Sequence, residues 1–280
     1  MAQVADAPEW IGEFRAPRNP HSEAKGSIHD DATATKLGFK GGTVAGSIHM
    51  DQFVPALLET FGERWWRDGS ISLYFTQATT DGEKVRVVVD TSAPQAKLRM
   101  YNEAGDQICE GTAAVGPDPD SELSKRILKQ PEADPATLRV LKDVRVGDEA
   151  ADVPMTVTRE QLAGTLSVIT ETVAAYADGV LPPSNAIRLS HQARGAVLEK
   201  AAKPSVGMFG ALEVEHLEGP LKADVAYVAR TKVLRLGESP KTENVWYDVT
   251  VSDPQSGDDV ARVRYLIRIM KGSSPLYREG

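Results

Sequence analysis

Two sets of four segments alternate apolar and polar positions or run β-rich between turn clusters. Residues 69–77 (GSISLYFTQ), 84–92 (KVRVVVDTS), 96–103 (AKLRMYNE) and 106–115 (DQICEGTAAV) form the first set, and residues 206–217, 223–236, 243–253 and 259–271 the second. A period of two bounded by Gly, Asp and Pro clusters predicts antiparallel strands joined by short turns. Each set follows a stretch of helical period. In the first, Val44, Ile48, Met50 or Phe53, Leu57, Leu58 and Phe61 make a broad apolar face, Pro55 predicts a kink or a break and Gly62 a stop. In the second, Thr158 is a cap for a helix read through Leu162, Leu166, Ile169, Val173 and Tyr176, and LPPSNAIRLSHQARGAVLEKAAK turns helical after its prolines. The order "helix, then four strands" thus occurs twice. A sheet curled around a helix buries that helix on nearly all sides, which explains how little charge the middle turns carry.

Between the sets, residues 116–137 are rich in Pro, Asp and Ser and read as a connection holding one short helix. The domains expected are 1–117, 118–137 as linker and 138–280, consistent with a chain of 280 residues. The fold class is α+β, with two long antiparallel sheets each wrapped around a central helix.

The net charge of −8 and the absence of a basic block exclude a nucleic-acid surface. The single cysteine, Cys109, excludes an intrachain disulfide and sits in an alternating segment as a buried thiol. No apolar run reaches the roughly 20 residues a membrane helix needs, and MAQVADAPEW lacks the basic and apolar regions of a signal peptide. The chain reads as cytoplasmic, with no membrane and no nucleic acid as partner.

Candidate chemistry concentrates in a tetrad written twice: GSIH at 26–29, followed by Asp30 and Asp31, and GSIH at 46–49, followed by Met50 and Asp51. The chain has five histidines. The first tetrad is a polar loop entering a helix start, with Asp30 or Asp31 as cap or as the group orienting His29. The second opens the central helix, where the positive end of the helix favours a neutral His49 and accommodates Asp51. Gly41, Gly42 and Gly46 let the backbone turn and approach a ligand, and the N–H groups of Gly46 and Ser47 are candidate donors to a carbonyl oxygen. Trp65 and Trp66 are adjacent, which predicts one in the core and one at a pocket wall or interface. His21, Glu23 and His29 match no standard ligand spacing, so no metal is expected.

IHDDATATKLGFKGGTVAGSIHM (28–50) and KDVRVGDEAADVPMTVTREQL (142–162) resemble the opening motifs of the MaoC-like group of the hotdog superfamily, which includes (R)-specific enoyl-CoA hydratases and many double-hotdog chains. The resemblance implies a tandem double hotdog and a lyase (hydratase or dehydratase) acting on a double bond conjugated to the carbonyl of an acyl-CoA thioester. It also implies no cofactor, a small-molecule substrate and a homodimer. His29 and His49 would be catalytic with Asp30 and Asp31, while Gly42, Gly46, Ser47 and Asp51 would bind substrate. The family's dyad places an Asp five residues before its His. Matching His29 puts Ala24 there, and the register anchored on Gly38-Phe39 puts Ile28 and Glu23 on the pair. Neither register leaves the dyad intact. A hotdog thioesterase, using Asp31, Asp51 or Glu59, and a non-catalytic acyl-binding or assembly subunit are the alternatives.

Overall fold

The computed structural model of the chain describes residues 9–277. All of MAQVADAPEW but Glu9 and Trp10 therefore lies outside the described residues. The strands are β1 (Glu9–Ile11), β2 (Gly69–Phe75), β3 (Val85–Asp90), β4 (Ala96–Asn102), β5 (Gln107–Val115), β6 (Glu149–Met155), β7 (Gly207–His216), β8 (Tyr227–Glu238), β9 (Thr242–Ser252) and β10 (Asp259–Met270). They form one antiparallel sheet in the order β1-β3-β4-β5-β2-β7-β10-β9-β8-β6. Reading inward from either end gives the same pattern, so the two halves are related by a pseudo-twofold axis between β2 and β7. This is the tandem double hotdog, with its two five-stranded sheets joined edge to edge.

The helices are α1 (Asp31–Lys36), α2 (Gly46–Asp51), α3 (Val54–Phe61), α4 (Arg64–Asp68), α5 (Glu122–Lys129), α6 (Arg159–Leu166), α7 (Pro183–Ser190) and α8 (Gly195–Leu198). The first central helix breaks at Gln52 and Phe53 before Pro55, then stops at Gly62. Thr158 caps α6 through a reciprocal capping box with Gln161. That helix ends at Leu166, short of the Tyr176 expected. The β-branched run Val168, Ile169, Thr170, Thr172 and Val173 disfavours helix enough to end it. The central helix of the second half is α7.

One hydrophobic core runs through both halves, from Phe53, Leu57 and Trp65 to Val245, Tyr247 and Tyr265. Both tryptophans lie in it, which corrects the division expected for them. The short helix α4 keeps Arg64 and Arg67 in solvent and turns both rings inward: Trp65 donates to the Ser70 carbonyl, and Trp66 packs edge-on against Tyr176 and His216 of the second half. Cys109 is buried there too, and desolvation raises its thiol pKa. The connection is part of the fold. Leu123 of α5 joins Ala211, Trp246 and Leu266 in a small outer cluster, and α5 ties to β2 and β7 through Ser72 and Glu213.

At the junction, Leu73 pairs with Leu212, and both are fully buried. Leu73→Ala should cost about 2–5 kcal/mol. Because sheet and core are continuous, denaturant unfolding should still follow one transition at a lower midpoint. Separate transitions for the two halves would show them independent.

Candidate functional site

The first tetrad is a loop clamped to the strand-like stretch before α2. The Ile28 carbonyl accepts from Thr43 N at 2.9 Å, and the His29 ring Nδ1 lies 2.8 Å from the Thr43 carbonyl. A carbonyl can only accept, so Nδ1 carries a proton, and in the neutral tautomer with that proton Nε2 keeps its lone pair. Asn19 donates its side-chain amide to the His29 carbonyl at 2.8 Å. Loop and α2 can come this close because position 42 is glycine. A Cβ there would sit 2.2 Å from the His29 carbonyl oxygen. Likewise, a Cβ at Gly46 would meet the Phe75 ring at 2.7 Å.

Asp30 and Asp31 do not orient the imidazole, contrary to expectation. Asp30 caps α1 by accepting from Thr33 N at 2.9 Å and takes Gly26 N at 2.7 Å, and those backbone bonds hold its pKa down. Asp31 accepts from Gly42 N at 2.7 Å and pins the glycine turn. Short side chains beside a helix start bond the nearest backbone N–H groups. The group that fixes His29 is a main-chain carbonyl that composition cannot reveal.

His49 is 2% exposed, with Nε2 2.7 Å from Thr79 Oγ1. Burial pushes its pKa down to about 4, so the ring is neutral at physiological pH. Nδ1 has no partner among the described residues. His29, His49, Gly46 and Thr43 line one cavity of about 420 Å³, walled by Phe39, Phe75, Met208 and Ile267. A second lobe of about 790 Å³, lined by His21, Ser47, Thr165 and Arg188, shares Ser27, His29, Ala45, His191, Arg194 and Phe209 with the first. His29 therefore stands at the neck between two lobes. The loop and the helix opening deliver both histidines to one cavity, although the tetrads themselves are not structural equivalents.

Asp51 is not in either lining. Fully buried, it accepts from Ser184 N at 2.9 Å and so caps α7, whose own cap position is Pro182. A proline side chain cannot supply that acceptor, so the first half supplies it. Desolvation raises the Asp51 pKa to about 8 from 3.8, opposed by the bonds to Ser184. Between those values the unfolded chain ionises Asp51 while the folded chain keeps it protonated, so folding stability falls as pH rises through this window. Asp51→Asn keeps the acceptor and has no proton to lose. Its stability relative to wild type should rise between pH 5 and pH 8, as measured by urea melts at both. A difference that does not change with pH would show that Asp51 is ionised when buried.

The second half contributes more to the site than its sequence suggested. His191, read above only as part of a helix, lines both lobes, stacks on Tyr265 and is held neutral, near a pKa of 3, by burial and by Arg194. Arg188, His191 and Gln192 form one face of a helical stretch, a spacing visible in sequence, but only the fold shows that this face reaches His29.

No protein-family model matches the chain, and no curated protein matches it. Solved structures do match, at the level of fold. A MaoC-domain protein assigned as a dehydratase from Chloroflexus aurantiacus superposes with a TM-score of 0.65 at 11% identity, covering 94% of this chain and 95% of its own. A Mycobacterium tuberculosis protein with a double hotdog fold gives 0.60 at 12% identity, covering 95% and 97%. The dehydratase domain of PpsC from the same organism, solved with C12:1-CoA, gives 0.50 at 11% identity, covering 96% of each chain. The likeness read from residues 28–50 and 142–162 thus extends, as a fold, over nearly the whole chain. Among the described residues no helix is long and apolar enough to cross a membrane.

Proposed function

We propose that the chain is a hydro-lyase that adds water to, or removes it from, a double bond conjugated to a thioester carbonyl. The observation that carries this reading is His29: its ring is held through Nδ1 by the Thr43 carbonyl, and the residue lines a cavity shared with His49 and Gly46. In the elimination direction Nε2 takes the proton on the α-carbon. The C–H electrons form the C=C bond as the β C–O bond breaks, and the proton now on Nε2 passes to the departing hydroxyl to give water. Hydration is the reverse. The N–H groups of Gly46 and Ser47, which open α2, donate to the thioester oxygen as negative charge builds there. His49, neutral and buried, is a second proton-transfer group. The MaoC-domain and PpsC dehydratases share this fold, and the PpsC domain was solved with an acyl-CoA, which supports a thioester as the substrate class.

The thioesterase reading needs a carboxylate aimed at the thioester carbon. Asp31 holds Gly42, Asp51 caps α7, and Glu59 accepts from Trp10 Nε1 at 3.1 Å. None of the three lines either lobe. Incubation with a panel of 2-enoyl-CoA thioesters separates the readings. Hydration removes the enoyl absorbance without releasing thiol, whereas hydrolysis releases thiol. Ligand binding without turnover across the panel would leave the non-catalytic reading.

A further inference from the structure

The charge of the cavity is unlike that of the chain. The protein carries −8 overall, yet among the described residues no Asp or Glu lines either lobe, while Arg188, Arg194 and Arg268 do. Most arginines elsewhere are paired, among them Arg264 with Asp248, Arg230 with Asp259, and Arg126 with Glu110 and Glu122. Of the rest, Arg139, Arg145 and Arg235 bond backbone carbonyls and Arg86 lies over the Phe14 ring. The three cavity arginines form no ion pair among the described residues. Arg194 donates to the neutral His191 ring at 3.0 Å, and Arg268 lies over the Tyr74 ring.

The pseudo-twofold axis sharpens the contrast. Val44 N bonds the Thr79 carbonyl as Leu181 N bonds the Leu221 carbonyl, so α2 and α7 begin at equivalent positions. Counting along both helices, the equivalent of Asp51 is Arg188. In one half this position carries a buried carboxylate that the protein uses internally. In the other it carries an exposed cation facing the His29 cavity. A guanidinium in a cleft without carboxylates raises the local concentration of anions and offers them bidentate hydrogen bonds.

We infer that Arg188 and Arg194 form an anion-binding subsite beside His29 that selects substrates carrying a carboxylate or phosphate away from the reacting carbons. Two parts of a thioester can supply that anion: a free carboxylate at the far end of the acyl chain, or the phosphates of the carrier. The inference deepens the hydro-lyase reading and rests on it only for the word substrate, so the test uses binding rather than turnover.

Calorimetry would compare hexanoyl-pantetheine, which offers neither group, with adipyl-pantetheine, which adds the acyl carboxylate, and hexanoyl-CoA, which adds the nucleotide phosphates. Free adipate and ADP complete the set. The wild type is expected to bind at least one anionic thioester about tenfold tighter than hexanoyl-pantetheine, a preference typical of a charge-assisted bond. The Arg188→Gln/Arg194→Gln variant should lose that preference while keeping the wild-type melting temperature, since neither side chain makes an ion pair. Preference for adipyl-pantetheine assigns the anion to the acyl group, and preference for hexanoyl-CoA assigns it to the carrier. If adipate or ADP binds and the variant loses it while no thioester binds, the subsite stands and the thioester reading falls. Equal binding of the three thioesters, a preference that survives in the variant, or no binding of any of the five probes would overturn the inference.

Discussion

His29→Ala is expected to lower kcat/KM for hydration of an enoyl thioester by about 10²–10⁴-fold, the usual contribution of a positioned acid–base group. The melting temperature should barely move, because the ring is half-buried and among the described residues its hydrogen bond is to the Thr43 carbonyl alone. A structural role predicts something else. Glutamine at position 29 can donate to the same carbonyl but cannot accept and return a proton at neutral pH. His29→Gln should therefore be as inactive as alanine, with unchanged ligand affinity. Recovery of more than a tenth of the wild-type rate would reduce His29 to a positioning residue.

Gly42→Ala is expected to damage both fold and site. The added Cβ would lie 2.2 Å from the His29 carbonyl oxygen and 3.2 Å from Asp31 Oδ1, and the nearer atom is backbone that cannot rotate aside. Either the 26–31 loop or the turn into α2 must shift. Overpacking of this kind costs about 1–3 kcal/mol, and the shift separates His29 from the Thr43 carbonyl. Activity should fall with stability. Gly41→Ala is the control, because its nearest contacts are the Asp31 carboxylate at 3.2 Å and the Thr80 methyl at 3.6 Å, both side chains. If Gly42→Ala were as well tolerated as Gly41→Ala, the tight clamp of loop against turn would not be what positions His29.

The eight long strands were legible because each alternates, or runs β-branched, between obvious turns. The interruption of the first central helix was legible because Pro55 cannot continue a helix undisturbed, and the structure seats it in the first turn of α3. The edge strands β1 and β6 left little trace: one has three residues, and the other has four exposed positions out of seven. At α6, apolar residues at helical spacing competed with a β-branched run, and the run prevailed. In the site, the pairing of His29 with His49 could be read from the repeated tetrad and the glycine turn between its copies. The roles of Asp30, Asp31 and Asp51 could not. A carboxylate's partner depends on which N–H comes within reach, and for Asp51 that donor is Ser184, in the other half of the chain. Arg188, His191 and Arg194 escaped for the same reason. They reach His29 only because the pseudo-twofold brings α7 against α2.

The most direct test is to incubate the protein in D₂O with 2-enoyl thioesters of short, medium and long chain, neutral and carboxylated, and to follow product mass and free thiol together. Hydration by His29 predicts a product with one water added, one deuterium fixed on the α-carbon and no thiol released, and the His29→Gln variant should form none. Thiol released in proportion to substrate lost, or every substrate recovered unchanged and undeuterated, would contradict it.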